Sequence, residues 1–330
     1  MQHDKFSFVT IVYEEELEFL FLQARSFHLF CPCDLVFEII VVDNSDKNIS
    51  NNTKKKLLSA YGNHSDRVAF LTKKDFEPMP KVSGWKTQQI LKLAVAQYVN
   101  TALYLVLDAK NHFVKRLTRR FLTTNDGLAQ INSYSYETHP LRPYLERVLT
   151  YFDMDRDHHV LRFTPTVTPF MMYRSIAISL IAFVEHREGK KFASAFIDRE
   201  FAEFPLYSAY LLYAYGDWRS HYNFHQVFCP VIWPDRTSSE SIRSAIETVE
   251  NNEIPFFSVH RRSILKIDSD ARDHLTNFWA ARGLFPNKTH AHKFYNRLRK
   301  KDIIYYYACR IGINKVVSRK IIKLLMSEVS

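Results

Sequence analysis

Apolar positions in the first 115 residues fall into short continuous blocks separated by polar or amphipathic stretches. Phe6–Tyr13 (FSFVTIVY), Glu38–Asp43 (EIIVVD), Arg67–Thr72 and Ala102–Leu107 (ALYLVL) each predict a strand, and the runs too apolar to alternate predict burial on both faces. Between them, Glu14–Phe30, a short segment near Leu57–Tyr61 after the polar Asn48–Lys56, and Gly84–Val99 predict helices. In the last of these, Ile90, Leu91, Ala94, Val95 and Tyr98 recur at helical spacing. Strands of this kind alternating with helices predict an α/β fold with a mostly parallel sheet. The second half is less regular: Val160–Thr164, Phe170–Tyr173 and Ile254–His260 predict strands, Ile176–His186 and Phe201–Tyr215 helices. No repeat or low-complexity segment interrupts the pattern, and no linker precedes about Pro286.

Composition narrows the class. In 330 residues, 46% are hydrophobic and 15% aromatic, enough for a large buried core. There are 7 glycines and neither a G-x-G-x-x-G nor a G-x-x-x-x-G-K-[ST] run, which argues against dehydrogenase and P-loop readings. The four cysteines, Cys31, Cys33, Cys229 and Cys309, have neither zinc-ribbon nor C-x-x-C spacing, so a reduced cytoplasmic setting is expected. The N-terminus lacks the pattern of a secretory leader, and the apolar stretches Ile176–Val184 and Leu206–Tyr215 are too short or too polar to span a bilayer. The formal charge of +10 is concentrated at one end: Lys288–Ser330 holds 11 Lys/Arg and 2 Asp/Glu. That asymmetry argues for a basic appendage and against a body that grips nucleic acid. The expected division is therefore residues 1–285, with halves 1–115 and 116–285, followed by a basic helical extension over 286–330.

Chemistry is expected where strands end. Asp108, one step past the Ala102–Leu107 block, heads Asp108-Ala109-Lys110-Asn111, and ligands of open α/β sheets collect at such carboxyl ends. A carboxylate there suits a hard cation carrying a diphosphate; capping of the turn is the competing reading. Thr10, Tyr13 and Asp43 end the first two strands, where a nucleoside could be held, with turn capping again the alternative for Asp43. Gly84 and Trp85 open a helix on which Gln88, Gln89 and Lys92 are polar positions, suited to a sugar or phosphate near a helix N-terminus or simply to solvent. His260, followed by Arg261-Arg262, is a candidate second metal ligand beside phosphate-neutralising guanidiniums. Glu203 lies between aromatics before Pro205, where an apolar setting would raise its pKa toward that of a general base; otherwise it is a first-turn helix acid. In the tail, Ile313, Val317, Ile321 and Leu324 share one helical side and Lys315, Arg319 and Lys323 another, the pattern of an interfacial helix on anionic lipid.

These residues resemble a family. Phe8-Val9-Thr10, Ile40-Val41-Val42-Asp43, Gly84-Trp85-x-x-Gln88-Gln89-x-x-Lys92-Leu93, Leu107-Asp108-Ala109-Lys110-Asn111, Glu203-Phe204-x-x-Tyr207 and Ser258-Val259-His260 resemble bacterial GT-A-type glycosyltransferases of the capsule and lipopolysaccharide group. The resemblance implies a GT-A-like, Rossmann-like fold with a nucleotide-sugar donor, a UDP-sugar, over the first half. It implies a glycan or lipid-linked acceptor over the second. Such enzymes usually carry Asp-x-Asp around Mn²⁺ or Mg²⁺, whereas here Lys110 takes the place of the second acid. Either Asp108 and His260 hold the cation, or Lys110 supplies positive charge directly to the leaving diphosphate. With the basic tail, the implied location is the inner face of the cytoplasmic membrane. A nucleotidyltransferase and a non-catalytic nucleotide-binding scaffold are the rival functions.

Overall fold

The computed structural model describes residues 5–225 and 228–310, which divide into two compact units, Met1–Phe228 and Cys229–Ser330.

In the first unit the apolar blocks become strands β1 (Phe6–Val12), β2 (Val36–Asp43), β3 (Val68–Thr72) and β4 (Leu103–Asp108). The sheet order is β3-β2-β1-β4, all parallel, closed by an antiparallel strand, Phe170–Tyr173, on the far side of β4. Phe8, Val9, Ile11, Val41, Leu105 and Leu107 are fully buried, which is why these blocks show no apolar–polar alternation. Burying each such side chain stabilises the fold by roughly 1.5–3 kcal/mol. Because the order turns back at β1, the gap between β1 and β4 is a topological switch point, where parallel sheets gather ligands. Ile11 of β1 stands opposite Asp108 of β4 at that point.

Helices α1 (Leu17–Phe30), α2 (Asn51–Tyr61) and α3 (Gly84–Ala94) connect the strands. Local chemistry sets their starts: the Ser50 hydroxyl accepts from the Thr53 amide, and Ser83 from the Lys86 amide. The Ser50 cap explains why α2 takes in the polar Asn51–Lys56 segment, burying only Leu57 and Tyr61. Within the strand expected over Val160–Thr164 only Phe163 makes a bridge, antiparallel to Tyr134, while Val160 and Leu161 end a helix, Arg156–Leu161. Asp155 caps it by accepting from the amides of Asp157 and His158, a local signal that starts the helix upstream of the apolar positions. Helix Glu203–Tyr215 follows, and a short parallel pair joins Ala129–Asn132 to Tyr222–His225.

In the second unit, Val231–Ile232 pairs in parallel with Phe256–Val259, accompanied by helices Ser239–Asn251, Ser269–Ala281 and Lys288–Arg310. The expected basic helical extension is present as the last of these. Its face of Ala291, Phe294, Tyr295 and Leu298 is buried, with Phe294 5.8 Å from Trp279 and the Tyr295 hydroxyl donating to the Ile264 carbonyl at 2.7 Å. Ile313, Val317, Ile321 and Leu324 and the cations Lys315, Arg319 and Lys323 lie outside the described residues. Among the described residues no helix is long and apolar enough to cross a membrane, and Cys31, Cys33 and Cys229 are free thiols.

Candidate active site

Strand β4 delivers Asp108 to the switch point, and the turn after it is built from side chains. Asn111 accepts the Asp108 amide on Oδ1 at 2.7 Å and donates from Nδ2 to the Thr168 carbonyl at 3.2 Å. Behind the turn, Gln23 of α1 donates to the carbonyls of Asp108 and Asn111, both at 2.9 Å, and accepts the Thr10 hydroxyl at 2.8 Å. Thr10 and Asn111 therefore belong to a buried lattice that fixes the turn. Gln23 was not singled out from the sequence. Its signal is an uncharged polar side chain among the apolar residues of the helix's buried face.

In front of that lattice four charges converge. Lys92 Nζ lies 3.0 Å from Asp108 Oδ1 and 3.1 Å from Glu203 Oε1, while Lys110 Nζ pairs with Asp108 Oδ2. Gln88 Nε2 approaches Asp108 Oδ1 at 3.4 Å, and the Phe204 ring lies 5.0 Å from the Lys92 ammonium. On α3, Gln88 and Lys92 are spaced i, i+4, so one helical stripe carries both to Asp108, with Trp85 one turn earlier on the same stripe. Burial works against the charge on Asp108, yet the Lys110 and Lys92 ammonium groups outweigh it and hold its carboxyl far below the usual range. Burial likewise opposes charge on Lys92, but Asp108 and Glu203 outweigh it and raise that ammonium's pKa. Asp108 and Lys92 are thus held in their charged forms in a partly dry setting, with Lys110 and Glu203 as their ion-pair partners. The apolar surrounding expected for Glu203 is only partial, because a buried ammonium is its partner.

The other expected residues have their own surroundings. Asp43 accepts the loop amides of Ser45 and Ile49, and Asn44 Nδ2 donates to the Gly84 carbonyl at 2.9 Å. In the same loop Asn44 Oδ1 and Ser45 Oγ, and on α3 Gln89 Oε1, are buried with no hydrogen-bond partner among the described residues, as groups awaiting a polar ligand would be. Tyr13 follows β1, and Trp85 is half exposed with its ring edge-on to Tyr144 at 6.1 Å. His260 and Arg261 belong to the second unit, where His260 caps the turn Arg261–Ser263 and lies 5.3 Å from Trp233, and Arg261 pairs with Asp302 at 2.6 Å.

The donor set at Asp108 does not fit the divalent cation that an Asp-x-Asp site would hold. Both carboxylate oxygens already accept from ammonium groups, and a dication there would face two like charges. Among the described residues, no three His, Cys, Asp or Glu groups converge as a metal site.

A family model described as "Family of unknown function (DUF6492)" matches residues 3–248. The chain belongs to that family. No curated protein matches its sequence. Among solved structures, the galactosyltransferase LgtC in complex with donor and acceptor sugar analogues is similar at 11% identity and a TM-score of 0.50, over 84% of this chain and 95% of that one. WbbM, a bifunctional glycosyltransferase, gives 9% identity and 0.44 over 77% and 45% of the two chains. GlyE of Streptococcus pneumoniae gives 10% and 0.44 over 91% and 64%. The LgtC likeness places this member of the family in the GT-A-type glycosyltransferase fold, the fold that the motif resemblance implied.

Proposed function

We propose that this protein is a glycosyltransferase that moves a sugar from a nucleotide-diphosphate donor, a UDP-sugar, to a glycan or lipid-linked acceptor of a bacterial surface polysaccharide. The observation that carries this reading is the Lys92–Asp108–Lys110 ion pairing, with Glu203, at the switch point of a GT-A-type sheet. Asp108 orients two ammonium groups instead of a metal. As the bond from the sugar to the diphosphate breaks, negative charge grows on the leaving oxygens. A cation already fixed in place stabilises that charge without reorganising. Lys110 takes that role, and Lys92 ties Asp108 to Glu203, which receives the acceptor hydroxyl proton or holds the acceptor. The nucleoside side is assigned to Tyr13 after β1 and to the loop after β2, supported by the unpartnered polar atoms of Asn44 and Ser45, while Thr10 and Asp43 hold the frame through their buried hydrogen bonds. Placement at the cytoplasmic membrane face is carried by the basic composition of 288–330 alone.

The test is release of UDP from a panel of UDP-sugars. Asp108→Asn is expected to lower turnover by about 10²–10³ with the fold retained, and chelation with EDTA to leave wild-type turnover unchanged. Equal rates for Asp108→Asn would remove the assignment. Loss of activity in EDTA with rescue by Mn²⁺ would restore a metal mechanism. Nucleotide binding with no turnover would favour the scaffold.

A further inference from the structure

Away from the buried charges, the first unit has a cavity of about 470 Å³ that includes Arg147, Arg156, Arg187 and Arg199 in its lining, with Tyr151 and Phe201 as its aromatic walls. Four guanidiniums around one cavity repel one another unless something compensates them. Three carboxylates lie nearby, and each is already committed: Glu146 to Arg142 at 2.8 Å, Glu200 to Arg147 at 2.8 Å, and Glu188 to Arg199 at 2.9 Å. Among the described residues neither Arg156 nor Arg187 has an ion-pair partner. Arg187 is nonetheless fixed, its guanidinium lying 4.2 Å from the centre of the Tyr151 ring. The volume suits a small molecule, and planar guanidinium forks match the paired oxygens of a phosphate or carboxylate.

A short stretch of chain links the cavity to the buried charges. Phe201 is two residues before Glu203, and its carbonyl accepts the Lys86 ammonium at 2.8 Å. Lys86 in turn lies 5.0 Å from the Tyr144 ring and 5.3 Å from the Trp85 ring. Trp85 stands one turn outward from Gln88 on the same stripe of α3, with about half its surface open.

We propose that this arginine-lined cavity binds the phosphate or carboxylate of an anionic acceptor saccharide. Trp85 and Tyr144 carry the adjoining sugar ring toward Glu203. The assignment as an acceptor subsite rests on the glycosyltransferase reading above.

Calorimetric titration of the full-length protein with glucose 6-phosphate, glucuronate and glucose tests it and separates the two anion classes. At least one anionic sugar should bind, with glucose itself much weaker. An Arg156→Gln/Arg187→Gln variant should melt like the wild type and lose about ten-fold or more in affinity for that sugar, as expected for two charge-assisted hydrogen bonds. Trp85→Ala should weaken binding of the anionic sugar while leaving inorganic phosphate unaffected. Binding of anionic sugars no tighter than glucose, or equal affinity in the double variant, overturns the proposal. UDP release keeps the two readings apart. Arginine-dependent binding in a protein that cleaves no UDP-sugar leaves the anion site and removes its role as acceptor subsite. UDP release with binding that ignores Arg156 and Arg187 removes the cavity assignment alone.

Discussion

At the end of β4, Lys92, Asp108, Lys110 and Glu203 share a space in which their side chains are 7–14% exposed. Around Tyr151, Arg147 and Glu200 make an ion pair of the same chemical kind with side chains 38% and 66% exposed. In the first region water cannot substitute for a missing partner, so each ion depends on its neighbours for solvation. In the second, water and salt compete with the pair, which contributes about 0–1 kcal/mol. The difference separates two roles. The buried cluster holds charge in fixed places, as stabilising a leaving diphosphate requires, and the exposed rim can exchange a protein carboxylate for the anion of a ligand.

Lys92→Met should give the largest effect. It removes the cation shared by Asp108 and Glu203 and leaves both carboxylates in a dry setting, at a cost of about 3–5 kcal/mol. Urea denaturation measures it. A loss below about 1 kcal/mol would mean that the buried cluster is solvated like the rim, and the contrast between the regions would fail.

The pH dependence of stability sharpens the picture next. Burial pushes the His112 imidazole down to about 4, so the unfolded chain binds its proton first as the pH falls. Its contribution is fully present above the ordinary histidine value of about 6.5 and is lost as pH falls from there through 4. His64, also lowered by burial, acts in the same direction. Asp108, held far below the ordinary carboxylate value of about 3.9, keeps its contribution above that value and loses it only at lower pH. His112→Gln should therefore flatten the slope of unfolding free energy between pH 6.5 and 4, whereas Asp108→Asn should flatten it only below about 4. Denaturant titrations at stepped pH distinguish the two limbs. An unchanged slope in His112→Gln would show that this imidazole is reached by water.

What the sequence reveals of this site follows from how local each signal is. The strands of the parallel sheet are visible because a doubly buried strand must be apolar throughout. Asp108 and Glu203 are visible because an acid ends one apolar run and begins another segment. The pairing of Lys92 with both was not legible, because it joins α3 to a helix more than a hundred residues later, and the spacing within α3 fits a solvated face equally well. Gln23 was hidden for a similar reason. Its partners on β1 and in the Asp108–Asn111 turn are adjacent only once the sheet has formed. In the basic tail the sequence drew attention to Ile313–Leu324, and the earlier face of Phe294, Tyr295 and Leu298 was missed because the partner it packs on, Trp279, comes from another helix.

The smallest effect is expected from Glu200→Gln, and it tests the comparison from the exposed side. Glu200 adopts a φ of 50° at the corner between two helices, and its backbone carbonyl accepts from Arg147 at 3.2 Å. Glutamine keeps the size and the backbone contact and removes only the charge. Because the pair is largely solvated, unfolding free energy should change by no more than about 1 kcal/mol, and less in high salt. Arg147 then loses its carboxylate and turns its charge toward the cavity, so affinity for an anionic sugar should rise. The matching change in the buried cluster, Glu203→Gln, should behave oppositely. It leaves Lys92 with one carboxylate in place of two, lowering stability together with turnover. If Glu200→Gln proved as damaging as Glu203→Gln, the rim would be a structural lattice of the same kind as the cluster. Its arginines would then have no capacity left for a ligand.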